Sequence, residues 1–190
     1  MYENNVAGMS PGIVLDHREA DCEELLGQWM EAFGNDVLRT AFLFLKDSAL
    51  ADDIFQEVFI KAYKNMHRYR GEASVKTWLI RITINQCKDY MKSGWVKRML
   101  LSFGNREQKG VSELPENIAI LNEEKRRLLH NVLKLSIPLR EVIILHYYHE
   151  LSESETASIL GIPRGTVRSR LHRAKAALRS NLSKGEDEQL

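Results

Sequence analysis

Apolar residues recur at intervals of three and four along nearly the whole chain, and no stretch of useful length alternates apolar with polar, so the pattern predicts an all-α fold. Leu25, Leu26, Trp29, Met30 and Phe33 form one stripe. Val37, Leu38, Ala41, Phe42 and Leu45 form another, and Gly34-Asn35-Asp36 between them reads as a break. A segment from Leu50 to Met66 follows, then a loop over His67 to Ser74 and a helix from Val75 to about Lys92. Between Ser93 and Pro115 the periodicity dissolves among Gly94, Gly104, Gly110 and Ser112, over a length greater than most connections inside a compact domain. This reads as an interdomain linker, in which Trp95, Met99, Leu100, Leu101 and Phe103 either extend the preceding helix or form a short docking segment. Beyond it, helices are predicted near Ile118 to Leu135, Leu139 to His149, Ser152 to Ile159 and Arg164 to Leu182. The expected architecture is two small helical domains joined by a linker: an N-terminal arm (1–20), a first domain (21–93), the linker (94–117), a second domain (118–184) and an acidic tail (185–190).

The second domain carries a helix-turn-helix. Ser152, followed three residues later by Glu155, is a capping-box pattern that starts a short helix. Gly161 supplies the tight turn, and Pro163 fits the first turn of the next helix, where a missing N–H leaves no bond unmade. Val167, Leu171, Ala174 and Leu178 then form the inward stripe of that helix and leave Arg168, Ser169, His172 and Arg173 on its outer side. Long guanidinium groups and a small hydroxyl near a helix N-terminus reach phosphates and guanine edges in the major groove.

Charge sharpens this picture through its distribution, because the net charge is only +1. Lys and Arg against Asp and Glu number 4 and 9 over residues 21–66, 10 and 3 over 67–109, 5 and 8 over 110–163, and 7 and 0 over 164–184. Two basic blocks thus alternate with acidic ones, which points to two anion-binding surfaces. The chain has only two cysteines, Cys22 and Cys87, with no metal-ligand spacing, so both are read as packing residues and neither a disulfide framework nor a zinc site is encoded. His146 and His149 stand three apart on a helix without further ligands, so no metal and no cofactor is expected. No signal peptide and no apolar run of membrane-spanning length is visible, which predicts a cytoplasmic chain without membrane insertion.

The helix-turn-helix also matches a known family. Leu139-Arg140, Leu151-Ser152 with Glu155 and Ala157, Gly161-Ile162-Pro163 and Gly165-Thr166-Val167-Arg168-Ser169-Arg170-Leu171 closely resemble the C-terminal domain of extracytoplasmic-function sigma factors. The resemblance implies that this domain binds the minus-thirty-five promoter element through Arg168, Ser169, Arg170, His172 and Arg173, with Arg164 and Thr166 counted to the same surface. Arg170 points partly toward the inward stripe, so a phosphate or intraprotein contact is as open for it as a base contact. Thr156 departs from the family's isoleucine, which predicts looser packing of the first helix.

The first domain resembles the same family independently. Asp52-Asp53-Ile54-Phe55-Gln56-Glu57-Val58-Phe59-Ile60-Lys61-Ala62-Tyr63 is similar to the helix that docks on core RNA polymerase. The helical wheel turns Phe55, Val58, Phe59, Ala62 and Met66 inward and leaves Asp53, Gln56, Glu57, Ile60 and Lys61 as the implied polymerase-binding set. Tyr69-Arg70-Gly71-Glu72-Ala73-Ser74, with Thr77-Trp78-Leu79-Ile80-Arg81-Ile82 and Asn85, resembles the minus-ten recognition segment. On the wheel Leu79, Ile80, Thr83, Ile84, Cys87 and Met91 share one side, and Trp78, Arg81, Asn85, Lys88 and Lys92 share the other. An aromatic ring, an amide and cations on one face suit an unpaired base and its backbone. The resemblance adds the loop, with Tyr69, Arg70, Gly71, Ala73 and Ser74 placed where a flipped base is captured. Trp78 fits a core aromatic as well as a stacking platform.

The function implied is that of an initiation factor without a catalytic site. It would bind core RNA polymerase, recognise minus-thirty-five duplex, melt the minus-ten region on single-stranded DNA, respond to stress and be held by an anti-sigma factor. The chain would then be nucleoid-associated when bound to polymerase, or membrane-proximal through that partner. The alternative is a helix-turn-helix repressor or activator working without core polymerase, which leaves the second basic surface unexplained. No phosphate loop, nucleophile motif or paired acid and base marks an enzyme or a small-molecule substrate.

Overall fold

The computed structural model describes residues 19–93 and 122–187, with side chains over 22–93 and 122–182. The arm up to residue 18, the linker 94–117, the positions 118–121 and the last three residues of the tail lie outside the described residues. Among the described residues every regular element is helical.

Helix α1 (Glu19–Leu45) runs unbroken through Gly34-Asn35-Asp36, contrary to the break expected there. The reason is packing. Gly34 is buried, and a Cβ at that position would stand 3.2 Å from the ring of Phe55. The glycine is a notch that lets the next helix approach, and this contact overrides its helix-propensity penalty of about 1 kcal/mol. Helix α2 (Ser48–Asn65) starts where the Asp47 carboxylate accepts the Leu50 N–H at 3.1 Å, and a 3-10 turn (Met66–Arg68) ends it. Helix α3 (Val75–Lys92) is capped by the Ser74 hydroxyl, which accepts the Thr77 N–H at 3.1 Å. The three helices close around Val37, Ile54, Val58, Leu79, Ile80 and Ile84, the faces that the apolar spacing marks, apart from Ile54. Cys87 is buried in this core, and burial pushes its thiol up to about 12, so it is a packing residue.

The second half begins with α4 (Glu123–Lys134), whose first turn is capped by the Asn122 side chain. Helix α5 (Ile137–Ile143) carries Pro138 in its first turn and widens into a π-helical turn (Ile144–Tyr148), so the single helix expected over Leu139 to His149 begins earlier and ends wider. Helix α6 (Glu153–Leu160) has the full capping box of Ser152 and Glu155, and Gly161 closes it in the left-handed region at φ 67°. Helix α7 (Arg164–Asp187) packs on α5 and α6 through Val167, Leu171 and Ala174. Thr156 is fully buried here and its hydroxyl has no hydrogen-bond partner, which costs about 1–3 kcal/mol. That is the physical content of the departure from isoleucine.

The two halves share one continuous core, and polar bonds stitch them. The buried Arg140 guanidinium donates from Nη2 to the Phe44 carbonyl at 2.7 Å and from Nη1 to the Leu133 carbonyl at 3.0 Å. Those carbonyls end α1 and α4, so the cation sits on the negative ends of two helices. Across the same seam, Thr40 meets Nε2 of His149 at 2.7 Å. The Thr40 hydroxyl already donates to the Asp36 carbonyl at 2.6 Å, so Nε2–H of His149 is the donor and Nδ1 is a bare, buried lone pair.

Burial, chiefly, holds His149 down to about 4, with Asp36 pulling up and Lys76 pulling down. Above about pH 6.5 both the folded and the unfolded chain hold this ring neutral. As pH falls below that, the unfolded chain takes a proton that the folded chain refuses until about pH 4, so stability is lost across this window. The expected loss is about 2 kcal/mol by pH 5. Urea unfolding at both ends of the range should show it for the native chain and not for His149→Gln; equal pH slopes would exclude the assignment.

Candidate nucleic-acid and polymerase interfaces

The helix-turn-helix presents its arginines as the wheel places them, and one residue that the resemblance assigns to DNA, Arg170, is not on the outer face. Arg164, Arg168, Ser169, His172 and Arg173 are exposed at the N-terminal half of α7, and Thr166 is half-buried, its carbonyl accepting from the Ser169 hydroxyl at 3.0 Å. Arg170 is turned inward: its Nη1 lies 2.6 Å from Oε1 of buried Glu141, so it makes the intraprotein contact rather than joining the outer face.

Glu153, which the sequence does not single out, is central to the exposed group. Arg168 donates from Nε to its Oε1 at 3.1 Å and from Nη2 to its Oε2 at 2.9 Å, and Arg164 donates from Nε to Oε2 at 3.0 Å. These hydrogen bonds, Arg168 first and Arg164 next, hold the Glu153 carboxyl down to about 2. The only sequence signal for it is an acid at the start of α6, and the turn at Gly161 is what folds α7 back over it.

The first half forms a cleft of about 420 Å³ between α2 and α3, lined by Lys61, Asn65, Arg68, Trp78, Ile82, Asn85, Gln86 and Asp89. It joins Trp78 and Asn85 from the minus-ten set to Lys61 from the polymerase set, and adds Asn65, Arg68 and Gln86, which spacing alone does not reveal. Trp78 is both core and surface, half-buried against Trp29 and Tyr69 with ring centroids at 5.8 and 5.4 Å, while its free side faces the cleft. The loop at the cleft's rim is shaped by Gly71 at φ 70° and by the Tyr69 hydroxyl donating to the Ala73 carbonyl at 2.6 Å. Arg70 and Ser74 are exposed there, and Lys92 is exposed at the end of α3.

Arg81 and Lys88 are engaged by the other half of the molecule. Arg81 donates from Nη2 to the Ser158 hydroxyl at 3.0 Å. Lys88 lies 3.6 Å from Glu141 and 3.5 Å from the Leu160 carbonyl. Burial raises the Glu141 carboxyl pKa, and Lys88 and Arg170 oppose that rise.

On α2, Asp53, Gln56, Glu57, Ile60 and Lys61 are all exposed, with Ile60 more than half open at 53%. Gln86, buried on α3, ties Glu57 and Lys61 together by accepting from the lysine and donating to the carboxylate. The five side chains therefore stand on a braced helix around an apolar centre, with Tyr63 beside them.

The chain matches the family model for Sigma-70 region 2 over residues 29–96 and that for Sigma-70, region 4, over residues 125–178. It is 32% identical over 163 residues to the ECF RNA polymerase sigma factor SigW of Bacillus subtilis, covering 80% of this chain and 86% of the relative. A probable RNA polymerase sigma factor, RfaY of Xanthomonas campestris, is 31% identical over 175 residues. That match takes in 88% of this chain but only 43% of the longer relative. In fold it is similar to the sigma factor RpoE of Bartonella quintana, solved in complex with the anti-sigma factor NepR, with a TM-score of 0.68 and 22% identity over 84% of this chain and 98% of that one. The chain belongs to the extracytoplasmic-function group of bacterial RNA polymerase sigma factors. As such it serves transcription initiation, directing core RNA polymerase to promoter DNA. No helix among the described residues is long and apolar enough to cross a membrane.

Proposed function

We propose that the two halves of this sigma factor divide the promoter between them. Residues 118–184 read minus-thirty-five duplex through Arg164, Arg168, Ser169, His172 and Arg173, and residues 21–93 dock on core polymerase and open the minus-ten region. The observation that carries this reading is the coexistence on one chain of an exposed arginine-bearing helix end, suited to duplex, and an aromatic–amide cleft with a cationic rim, suited to unpaired bases. Asp53, Gln56, Glu57, Ile60 and Lys61 form the polymerase-binding surface, and Trp78, Asn85 and the Tyr69–Ser74 loop receive the unpaired strand. The factor has no catalytic site of its own, works in the cytoplasm and is held by an anti-sigma factor until a stress signal releases it; the Bartonella protein of similar fold is itself seen in complex with an anti-sigma factor.

This division has a geometric consequence. A promoter's two elements lie roughly 25 base pairs apart, about 85 Å of duplex, whereas a compact chain of this length has a radius of gyration of about 16 Å. The stitched arrangement, with Arg81 and Lys88 bonded to the second half, is therefore the resting form, and the halves separate on the polymerase. Run-off transcription with core polymerase on genomic DNA, sequenced for start sites, tests the reading. Starts sharing two elements at fixed spacing are expected, and Arg168→Ala should weaken upstream recognition by about 1–3 kcal/mol without changing affinity for core polymerase. Tight binding to an operator duplex in the absence of polymerase would overturn it.

A further inference from the structure

Glu153 is an acid on a face built for DNA. Each cation that neutralises a phosphate gains affinity through released counterions, and a carboxylate in the same patch subtracts from that gain. Its presence works against a surface that binds phosphates alone, but it suits one that must aim an arginine at a base.

The geometry shows how. The planar guanidinium of Arg168 meets Glu153 side-on, using Nε and one N–H of Nη2. That leaves the end edge, Nη1 and the remaining N–H of Nη2, with no protein partner among the described residues. Two parallel N–H donors on that edge complement O6 and N7 of guanine in the major groove. An isolated exposed ion pair contributes little, but a bidentate arginine–carboxylate fork fixes direction as well as charge. Arg164 binds the same carboxylate, so the cluster keeps a net positive charge while the fork is held. We propose that Glu153 is a positioning residue that presents Arg168 end-on, so that the pair selects guanine at one base pair of the upstream duplex element. This rests on the reading of α7 as the upstream-element helix.

Selection from duplexes randomised across the upstream element, using the full chain bound to core polymerase, gives a base preference at each position. The native chain is expected to select guanine at a position where Arg168→Ala loses that preference. Glu153→Gln and Glu153→Ala should each cut the same preference by about fivefold to tenfold and leave the other positions unchanged. Binding of the free chain to non-specific duplex should meanwhile tighten, with a salt slope steeper by about one, because a carboxylate has left the patch. A merely structural role at the start of α6 would lower all preferences and non-specific binding together, and that result overturns the proposal. An unchanged guanine preference in both Glu153 variants overturns it equally. If Arg168→Ala leaves every upstream preference intact, the reading of α7 falls and this proposal with it.

Discussion

Arg140→Ala is expected to lower the stability of the folded chain by about 3 kcal/mol and to make the two halves unfold separately. The guanidinium is almost fully buried and answers two carbonyls, Phe44 from the first half and Leu133 from the second. Alanine leaves both without a partner, at about 1–3 kcal/mol each, and some of that is returned because a buried cation is no longer desolvated. The desolvation is real: burial pulls Arg140 down to about 10. Arg140→Lys keeps the charge but reaches one carbonyl rather than two, so a smaller loss is expected. Trp29 and Trp78 lie in the first half and no tryptophan lies beyond residue 95, so fluorescence is weighted to the first half, whereas circular dichroism reports helix in both. In urea the two signals should coincide for the native chain and separate for Arg140→Ala, the sign that all-or-none unfolding has been lost. Coincident transitions with a loss under about 1 kcal/mol would show that Arg140 does not join the halves.

Arg140 also marks the boundary of what the sequence makes legible. Helical spacing reports which face of a helix is buried, so Val167, Leu171 and Ala174, or Leu79, Ile80 and Ile84, are readable from residues alone, and so is the opposite face that carries Trp78 and Asn85. Spacing does not report what meets that face. Gly34 looks like a break because its notch role depends on Phe55, twenty-one positions away and on another helix. Gln86 looks like an ordinary surface amide because its partners Glu57 and Lys61 come from α2. Glu153 looks like a first-turn acid, and Arg81 and Lys88 like free cations, for the same reason. The resemblance supplies the roles of the two DNA surfaces and of α2, but a motif names residues without saying which of them the folded chain has already engaged.

The second large effect is expected at a residue that touches neither DNA nor polymerase in the proposed scheme. Trp29 is 5% exposed and packs edge-on against both Tyr69, at 6.0 Å and 75°, and Trp78, at 5.8 Å and 72°. Those two rings in turn meet at 5.4 Å, so the three aromatics form a closed triangle at the base of the Tyr69–Ser74 loop. Truncating a buried tryptophan to alanine costs about 3–5 kcal/mol, within which each aromatic pair accounts for about 0.5–1.5 kcal/mol. The functional loss follows from the same contacts. Tyr69 closes the loop by donating to Ala73, and Trp78 lines the cleft with Asn85, so removing their common neighbour frees both from the positions that a captured base requires. Trp29→Ala should therefore weaken binding of a single-stranded minus-ten oligonucleotide by polymerase holoenzyme while leaving upstream duplex recognition by α7 intact, at a temperature where the variant is still folded. Trp29→Phe, which keeps an edge toward each neighbour, should recover most of both stability and binding. Urea unfolding and fluorescence anisotropy separate the two effects. A variant that loses the stability yet binds the oligonucleotide as tightly as the native chain would show that the triangle supports the fold without shaping the loop.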